Sequence, residues 1–269
     1  MVSNRLRNVA FLSTYPPREC GIATFTQDLV RELDKVGFLN KPKVIAVSND
    51  NYNYSNRVIM ELRQHDRKSY IDIANAINDS DIELLMIEHE YGIFGGEAGE
   101  YILDIAHNLQ IPFITTLHTI LTNPLEKQKE ILRLLGEKST KVITMAKNTK
   151  PILEKVYNID PSKIEVIHHG VPYRIPESRE KLKEKHGLSG KSVVSTFGLL
   201  SPGKGLEYGI EAIAMVAKEH KDIVYLILGQ THPCVKKEYS EVYREKLMKL
   251  VDKLGIGEHV KFVDKYLSK

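Results

Sequence analysis

Short apolar runs that are rich in β-branched residues alternate along this chain with longer stretches of helical period. That alternation is typical of βαβ units that build a parallel sheet. In the first part of the chain, the predicted strands are Asn8–Thr14, Lys43–Ser48, Arg57–Arg63, Glu83–His89, Phe113–His118, Lys141–Met145 and Ile164–His169. The predicted helices there are Thr24–Val36, Ser69–Asn78, Glu97–Leu109 and Pro124–Gly136. Apolar runs as continuous as ELLMI suit a sheet that is covered on both faces.

The pattern changes after His169, where the segment GVPYRIPESRE is rich in proline and charge. It indicates a linker that leads to a helix near Glu177–Gly187 and then to a second βαβ series. The strands of that series are predicted at Ser192–Gly198, Val224–Gly229 and Val260–Asp264, and its helices at Gly205–Glu219 and Lys236–Leu254. Three strands are fewer than the roughly six of a doubly wound domain. We therefore predict a first domain at 1–172, a linker at 173–190 and an incomplete second domain at 191–269, as in a fragment of a two-domain protein. The alternative is a small appendage packed on the first domain.

Composition narrows the function classes. With 42% hydrophobic and 27% charged residues, the chain has the composition of a soluble globular protein. The 38 basic and 35 acidic residues are interspersed, and a net charge of +3 gives no basic face for nucleic acid. Cys20 and Cys234 are too few for a disulfide framework or a four-cysteine zinc site. The sequence has neither a membrane-length apolar run nor a signal-peptide core, so a cytoplasmic location is expected. No complementary metal-ligand spacing accompanies the segment EHEY, so no bound metal is expected.

The first strand is followed by the segment STYPPRECGIATFT, in which two prolines and a glycine precede a helix. A helix N-terminus presents unpaired N–H groups and partial positive charge, which suits a phosphate or a carboxylate. Gly21 permits close approach there, and Arg18 adds a positive charge. An ordinary capped loop between strand and helix is the alternative.

A second junction of the same kind reads GLLSPGKG, from Gly198 to Gly205. Its spacing resembles the start of a P-loop, but Gly205 stands where that motif needs a magnesium-binding hydroxyl. Gly203 and Lys204 instead predict a phosphate anchor of another kind, a lysine beside a glycine-lined helix start.

Two further groups of residues follow strand ends, where ligands of parallel sheets bind. His118 ends the run FITTLH, and Glu90 with Tyr91 follows the run ELLMIEH. A carboxylate and an aromatic ring suit the hydroxyls and the apolar faces of a sugar. The helix Pro124–Gly136 is predicted to face the core, and contact with a membrane surface is its less favoured alternative.

These motifs together resemble family-four glycosyltransferases of the group 1 type. The resemblance rests on the glycine-containing loop after the first strand, the strand ending in His118, the junction HHGVP and the segment FGLLSPGKG. In that family the junction typically reads I-P-N-G-V and the last motif G-R-L-x-x-x-K-G. The resemblance runs in order along essentially the whole chain, and it implies an α/β fold of two Rossmann-like domains, the GT-B fold.

The resemblance also implies roles for single residues. The loop around Cys20 and Gly21 would face the donor diphosphate and the acceptor, His118 would approach the transferred sugar, and Lys204 would neutralise the departing diphosphate. Members use a nucleotide diphosphate sugar as co-substrate, generally retain the anomeric configuration, and need no cofactor or bound metal. A lysine and two helix N-termini can stabilise the charge that develops on the leaving diphosphate without a magnesium ion.

Two departures from the family pattern stand out. The arginine of G-R-L falls on Leu199, so Arg18 is the residue left to supply a second cation. The family's C-terminal pair of glutamates would lie beyond Lys269, so we expect little activity from these 269 residues alone. Expected partners are a nucleotide-sugar donor, a saccharide or lipid acceptor, and a complementing C-terminal polypeptide. Rival interpretations are a nucleotide-sugar epimerase of the same fold, and a non-catalytic saccharide- or partner-binding half of a split transferase.

Overall fold

The structure is a computed structural model that describes residues 8–37, 40–171, 173 and 175–266. The chain divides into two compact units, Met1–Val171 and Pro172–Lys269. The predicted assignment of these regions to acceptor and donor sides stays a prediction.

Within the described residues, the first unit builds one parallel sheet of seven strands. The strands are β1 (Val9–Ser13), β2 (Lys43–Ser48), β3 (Val58–Arg63), β4 (Leu84–His89), β5 (Phe113–Leu117), β6 (Lys141–Thr144) and β7 (Ile164–Val166). They lie in the order β3-β2-β1-β4-β5-β6-β7, so the sheet changes winding direction between β1 and β4. The predicted α/β class and parallel sheet are confirmed.

Five helices of the first unit are described: α1 (Gly21–Leu33), α2 (Arg67–Asn78), α3 (Ile102–Asn108), α4 (Glu126–Lys138) and α5 (Lys150–Lys155). Together with the sheet they enclose apolar side chains on both of its faces, which is why β1 and β2 are buried along almost their whole length. In α4 the residues Ile131, Leu132 and Leu135 are fully buried, so its apolar face packs in the core, as the favoured interpretation predicts. The sequence pattern did not indicate α5.

The second unit has a smaller sheet. Its elements are α6 (Arg179–Lys185), β8 (Ser192–Phe197), α7 (Leu206–Val216), β9 (Ile223–Leu228), α8 (Pro233–Tyr239), α9 (Val242–Lys253) and β10 (Val260–Val263). The three strands are parallel in the order β10-β9-β8, which leaves β8 at an edge of the described sheet. The core lies between this sheet and the helices α7 and α9, around Ile210, Ile227 and Leu247.

Two backbone details shape this unit. One helix was predicted over Lys236–Leu254, but Ser240 adopts a left-handed conformation with φ of 53° and divides it into α8 and α9. Gly229, just after β9, has φ of +147°, and a Cβ built on it would lie 2.0 Å from the Gly198 carbonyl oxygen. Only glycine fits this close approach of the two strand ends.

Candidate functional site

The carboxyl ends of β1, β4 and β5 lie side by side in the first sheet, next to the point where its winding direction changes. In open α/β sheets, ligands bind outside these ends at such a switch point. The sequence-predicted residues Glu90 and His118 directly follow β4 and β5, and Gly21 begins the helix that the loop after β1 leads to.

The loop after β1 ends in a capped helix. The Cys20 thiol accepts a hydrogen bond from the Ala23 backbone N–H at 3.3 Å and lies 3.0 Å from the Thr14 hydroxyl. Gly21 is the first residue of α1, it is exposed, and a Cβ there would meet no atom within 4 Å. The space next to Gly21 is therefore unfilled by the described residues, and the predicted contact of Gly21 with a diphosphate stays a prediction.

Arg18 points into the first unit rather than outward. Its side chain is buried, and its guanidinium donates hydrogen bonds to the Val47 carbonyl oxygen at 2.9 Å and to Gln64 Oε1 at 3.0 Å. The predicted contact between Arg18 and a diphosphate stays a prediction, and these two bonds do not favour it.

Gln64 and Tyr70 extend this set of hydrogen bonds to the loop after β4. Gln64 Nε2 donates to the Gly92 carbonyl oxygen at 3.1 Å. The Tyr70 hydroxyl donates to the Gln64 carbonyl oxygen at 2.9 Å and accepts from the Gly95 backbone N–H at 2.8 Å. Burial raises the pKa of Tyr70 to about 12. Together with Arg18, these residues connect the loops after β1 and β4 with the ends of β2 and β3.

His118 contacts a buried carboxylate. Its Nε2 lies 2.9 Å from Glu88 Oε2, and Glu88 is fully buried at the end of β4. The ring of Phe25 packs edge-on against His118, with 4.9 Å between ring centroids, and against His169 at 5.5 Å. These contacts hold the imidazole at the edge of the sheet, with one-tenth of its side chain exposed.

The other two predicted residues after β4 differ in exposure. Glu90 is half-buried, and its carboxylate accepts a hydrogen bond from the Thr119 hydroxyl. Tyr91 is buried, its hydroxyl donates to the Gln128 carbonyl oxygen at 3.4 Å, and burial raises its pKa. Sugar contacts by both residues stay predictions, and the burial of Tyr91 leaves little of its ring for a ligand.

His89 lies between the two glutamates and faces the opposite side of the sheet, because side chains alternate along a strand. It is fully buried between the rings of Tyr91 and Phe94, and neither ring nitrogen has a hydrogen-bond partner. Burial, with a smaller contribution from the charge of His118, lowers the pKa of His89 to about 3. His89 is therefore a neutral core residue.

In the second unit, Lys204 is exposed on the short turn Pro202–Lys204 that follows β8. Gly205 has φ of 62° and is the N-cap residue of α7, so Lys204 lies beside the N-terminus of that helix. Lys204 also borders a small cavity at the end of β8, together with Phe197, Gly198 and Leu199. The pKa of His232 is lowered by burial and by the nearby charge of Lys204.

Among the described residues, no group of three or more His, Cys, Asp or Glu side chains has an arrangement that could hold a metal ion. None of the described helices is long and apolar enough to cross a membrane.

Comparison with known families identifies the class of the protein. The family model described as Glycosyltransferase Family 4 matches residues 20–174, more than half of the chain. A second model, Glycosyl transferases group 1, matches residues 178–266. The chain therefore belongs to Glycosyltransferase Family 4, whose members are enzymes of sugar transfer. Among curated proteins, none matches the chain by sequence.

Solved structures confirm the GT-B fold. HepE of Anabaena, in complex with UDP and glucose, is 15% identical with a TM-score of 0.70, over 97% of this chain and 70% of its own. A glycosyltransferase from Rickettsia africae is 17% identical with a TM-score of 0.65, over 97% and 69%. UDP-GlcNAc 2-epimerase from Neisseria meningitidis, bound to UDP-GlcNAc, is 12% identical with a TM-score of 0.58, over 98% and 73%. At these identities the likeness concerns the fold alone.

Three residues of the site are not among those predicted from the sequence: Glu88, Phe25 and Gln64. Glu88 belongs to the run EHEY, and alternation along a strand would place it on the face opposite to His89. Its pairing with His118, 30 residues away, depends on β4 and β5 being neighbours. The sequence contains no separate signal for that pairing.

Proposed function

We propose that this protein transfers a sugar from a nucleotide diphosphate sugar to a hydroxyl of a saccharide or lipid, with retention of configuration and without a metal. The first unit would contribute the acceptor side and His118, and the second unit Lys204 and the diphosphate contact. HepE, which shares the fold, is described in complex with UDP and glucose, which makes a UDP-sugar the first donor to test.

The observation that carries this proposal is the environment of Lys204. Its ammonium forms no ion pair with any described residue, and it borders a cavity at the carboxyl end of β8 beside the start of α7. An unpaired lysine and the positive end of a helix dipole together stabilise a diphosphate. They would also stabilise the charge that develops on a leaving diphosphate during sugar transfer.

Calorimetric titration of the full chain with UDP, GDP and ADP, in the presence of a magnesium chelator, tests the proposal. We expect one of the three to bind, and Lys204→Ala to weaken that binding by about 10–100-fold, because a charged hydrogen bond contributes roughly 1.5–3 kcal/mol. Lys221→Ala is the matched control, since Lys221 is also exposed but precedes β9, at the amino-terminal end of the strands rather than the carboxyl end. Binding that needs magnesium, or that survives Lys204→Ala unchanged, would contradict it.

A second candidate is supported by the likeness to UDP-GlcNAc 2-epimerase, which has the same fold. An epimerase converts its nucleotide sugar without any acceptor, whereas a transferase needs one. Incubation with nucleotide sugar alone therefore separates the two, and an epimerised product formed without acceptor would favour the second candidate.

A further inference from the structure

Glu88 is a carboxylate placed where a protein seldom keeps one, at the fully buried end of a central strand. Its Oε2 lies 2.9 Å from His118 Nε2, and its Oε1 accepts a hydrogen bond from Thr116 at 3.4 Å. No lysine or arginine of the described residues forms an ion pair with it. A buried carboxylate is costly unless its oxygens are hydrogen-bonded, so the contact with His118 is the main one that compensates for its burial.

The position of His118 is fixed independently of this contact. Its backbone N–H donates to the His89 carbonyl oxygen at 3.0 Å, which continues the pairing of β4 and β5 beyond the last residue of β5. Phe25 packs edge-on against the imidazole. Glu88 is therefore not needed to bring His118 to the sheet edge, and its contribution concerns the state of the ring.

The direction of the hydrogen bond determines that state. When the Glu88 carboxylate is ionised it can only accept hydrogen bonds, so Nε2 then carries the proton that it donates to Glu88. In a neutral imidazole the other nitrogen, Nδ1, then carries a lone pair and can only accept.

Nδ1 of His118 is open. It has no hydrogen-bond partner among the described residues, and the only side-chain nitrogens or oxygens there that are both buried and unpartnered belong to His89. Nδ1 is therefore reachable from solvent, at the carboxyl edge of the sheet where ligands bind.

We infer that Glu88 is a positioning residue that holds the side-chain proton of His118 on Nε2 and keeps Nδ1 as an open hydrogen-bond acceptor. The chemical group that fits this acceptor is a neutral donor, such as a hydroxyl of the transferred sugar. That last step rests on the proposed function, whereas the position of the proton does not.

Glu90 provides a matched control on the same strand face. It follows Glu88 by two residues and bonds the Thr119 hydroxyl rather than the imidazole. Replacement of either glutamate by leucine removes one negative charge and one acceptor, but only the Glu88 change removes the partner of Nε2.

The experiment is long-range proton–nitrogen NMR of the histidine rings in the full, nitrogen-labelled chain at mildly alkaline pH, with His118 assigned by its loss in His118→Gln. We expect a ring protonated on Nε2 alone, with a slowly exchanging Nε2–H proton. That proton should exchange too fast to observe in Glu88→Leu and should remain in Glu90→Leu. Protonation on Nδ1, or an unchanged Nε2–H proton in Glu88→Leu, would overturn the inference. If Glu88→Leu fails to fold, protonation of the wild-type ring on Nδ1 would still overturn the inference.

Addition of UDP-glucose, with UDP as the comparison, tests the use of Nδ1. We expect the Nδ1 resonance to shift with UDP-glucose and not with UDP. UDP-glucose that binds without this shift would overturn the acceptor role. Failure of every nucleotide to bind in calorimetry would contradict the proposed function and leave the position of the proton to be decided by the spectra above.

Discussion

The two units differ most in how their first strands are covered. β1 of the first unit is buried at every position between two layers of apolar side chains. β8, which begins the second sheet, is mostly exposed, and Phe197 at its end is 71% exposed. The helix that follows β8 continues this surface, since Tyr208 is 72% and Met215 71% exposed. A helix as apolar as α7 normally packs on more than one side.

The difference shows that the βαβ pattern alone does not determine how well a sheet is covered. Both strands begin a βαβ series, but β1 has a neighbour on each side whereas β8 pairs only with β9 among the described strands. Burial in such a sheet is supplied by the next strands and their crossover helices.

The substitution Gly229→Ala should disrupt the second unit while leaving the first intact. A Cβ there collides with the Gly198 carbonyl oxygen, and the backbone conformation is one that alanine rarely adopts, so we expect a loss of roughly 3–5 kcal/mol. Hydrogen exchange should show protection lost in β9 and kept in β1. Gly257→Ala is the control, because a Cβ at Gly257 meets no atom within 4 Å. Loss of protection in both units would mean that they unfold together.

Acid should destabilise the first unit through His89. Because the folded pKa of about 3 lies below the usual histidine pKa of 6.5, only the unfolded chain binds this proton between these two pH values. The stabilisation is present above about pH 6.5 and is lost as the pH falls toward 3. From about pH 7 to about pH 5, the wild type should lose about 2 kcal/mol more than His89→Phe, measured by hydrogen exchange in β4. His65→Gln, at an exposed position, should behave as the wild type.

The same valine truncation in each sheet compares their covering directly. Val44 in β2 is fully buried, so Val44→Ala should cost about 2 kcal/mol for two buried carbons. Val194 in β8 is half-exposed, and Val194→Ala should cost less than about 1 kcal/mol. Thermal unfolding of both variants checks this expectation. Equal losses would show that β8 is covered in solution.

The sequence pattern predicted the strands well because each strand end depends on local hydrophobicity. It predicted the helices less well where contacts with residues distant in sequence determine where a helix begins or ends. Glu241 accepts a hydrogen bond from Thr231 and forms ion pairs with Lys236 and Arg244, and these contacts accompany the break after α8 that no local signal marks. Ala98 and Gly99 both have positive φ, which helical residues do not adopt. The helix predicted over Glu97–Leu109 is therefore shortened to α3.

The candidate site shows the same difference between local sequence signals and contacts with distant residues. His118 and Gly21 were predictable because each directly follows a strand or begins a helix, which is a local property. Arg18 was predicted to contact a ligand from its place in the loop, but its partner Gln64 is 46 residues away and draws the guanidinium inward. The sequence indicates which side chains reach the edge of the sheet, and the neighbouring strands decide which of them remain free for a ligand.

The chain of hydrogen bonds from Arg18 through Gln64 to Tyr70 and Gly95 has a consequence for affinity. Flexible loops lose conformational entropy when a ligand orders them, and that loss weakens binding. Here the loops after β1 and β4 are already joined in the free protein by buried, directional bonds. A ligand that binds at this edge of the first sheet therefore loses less of its contact energy to the ordering of these two loops.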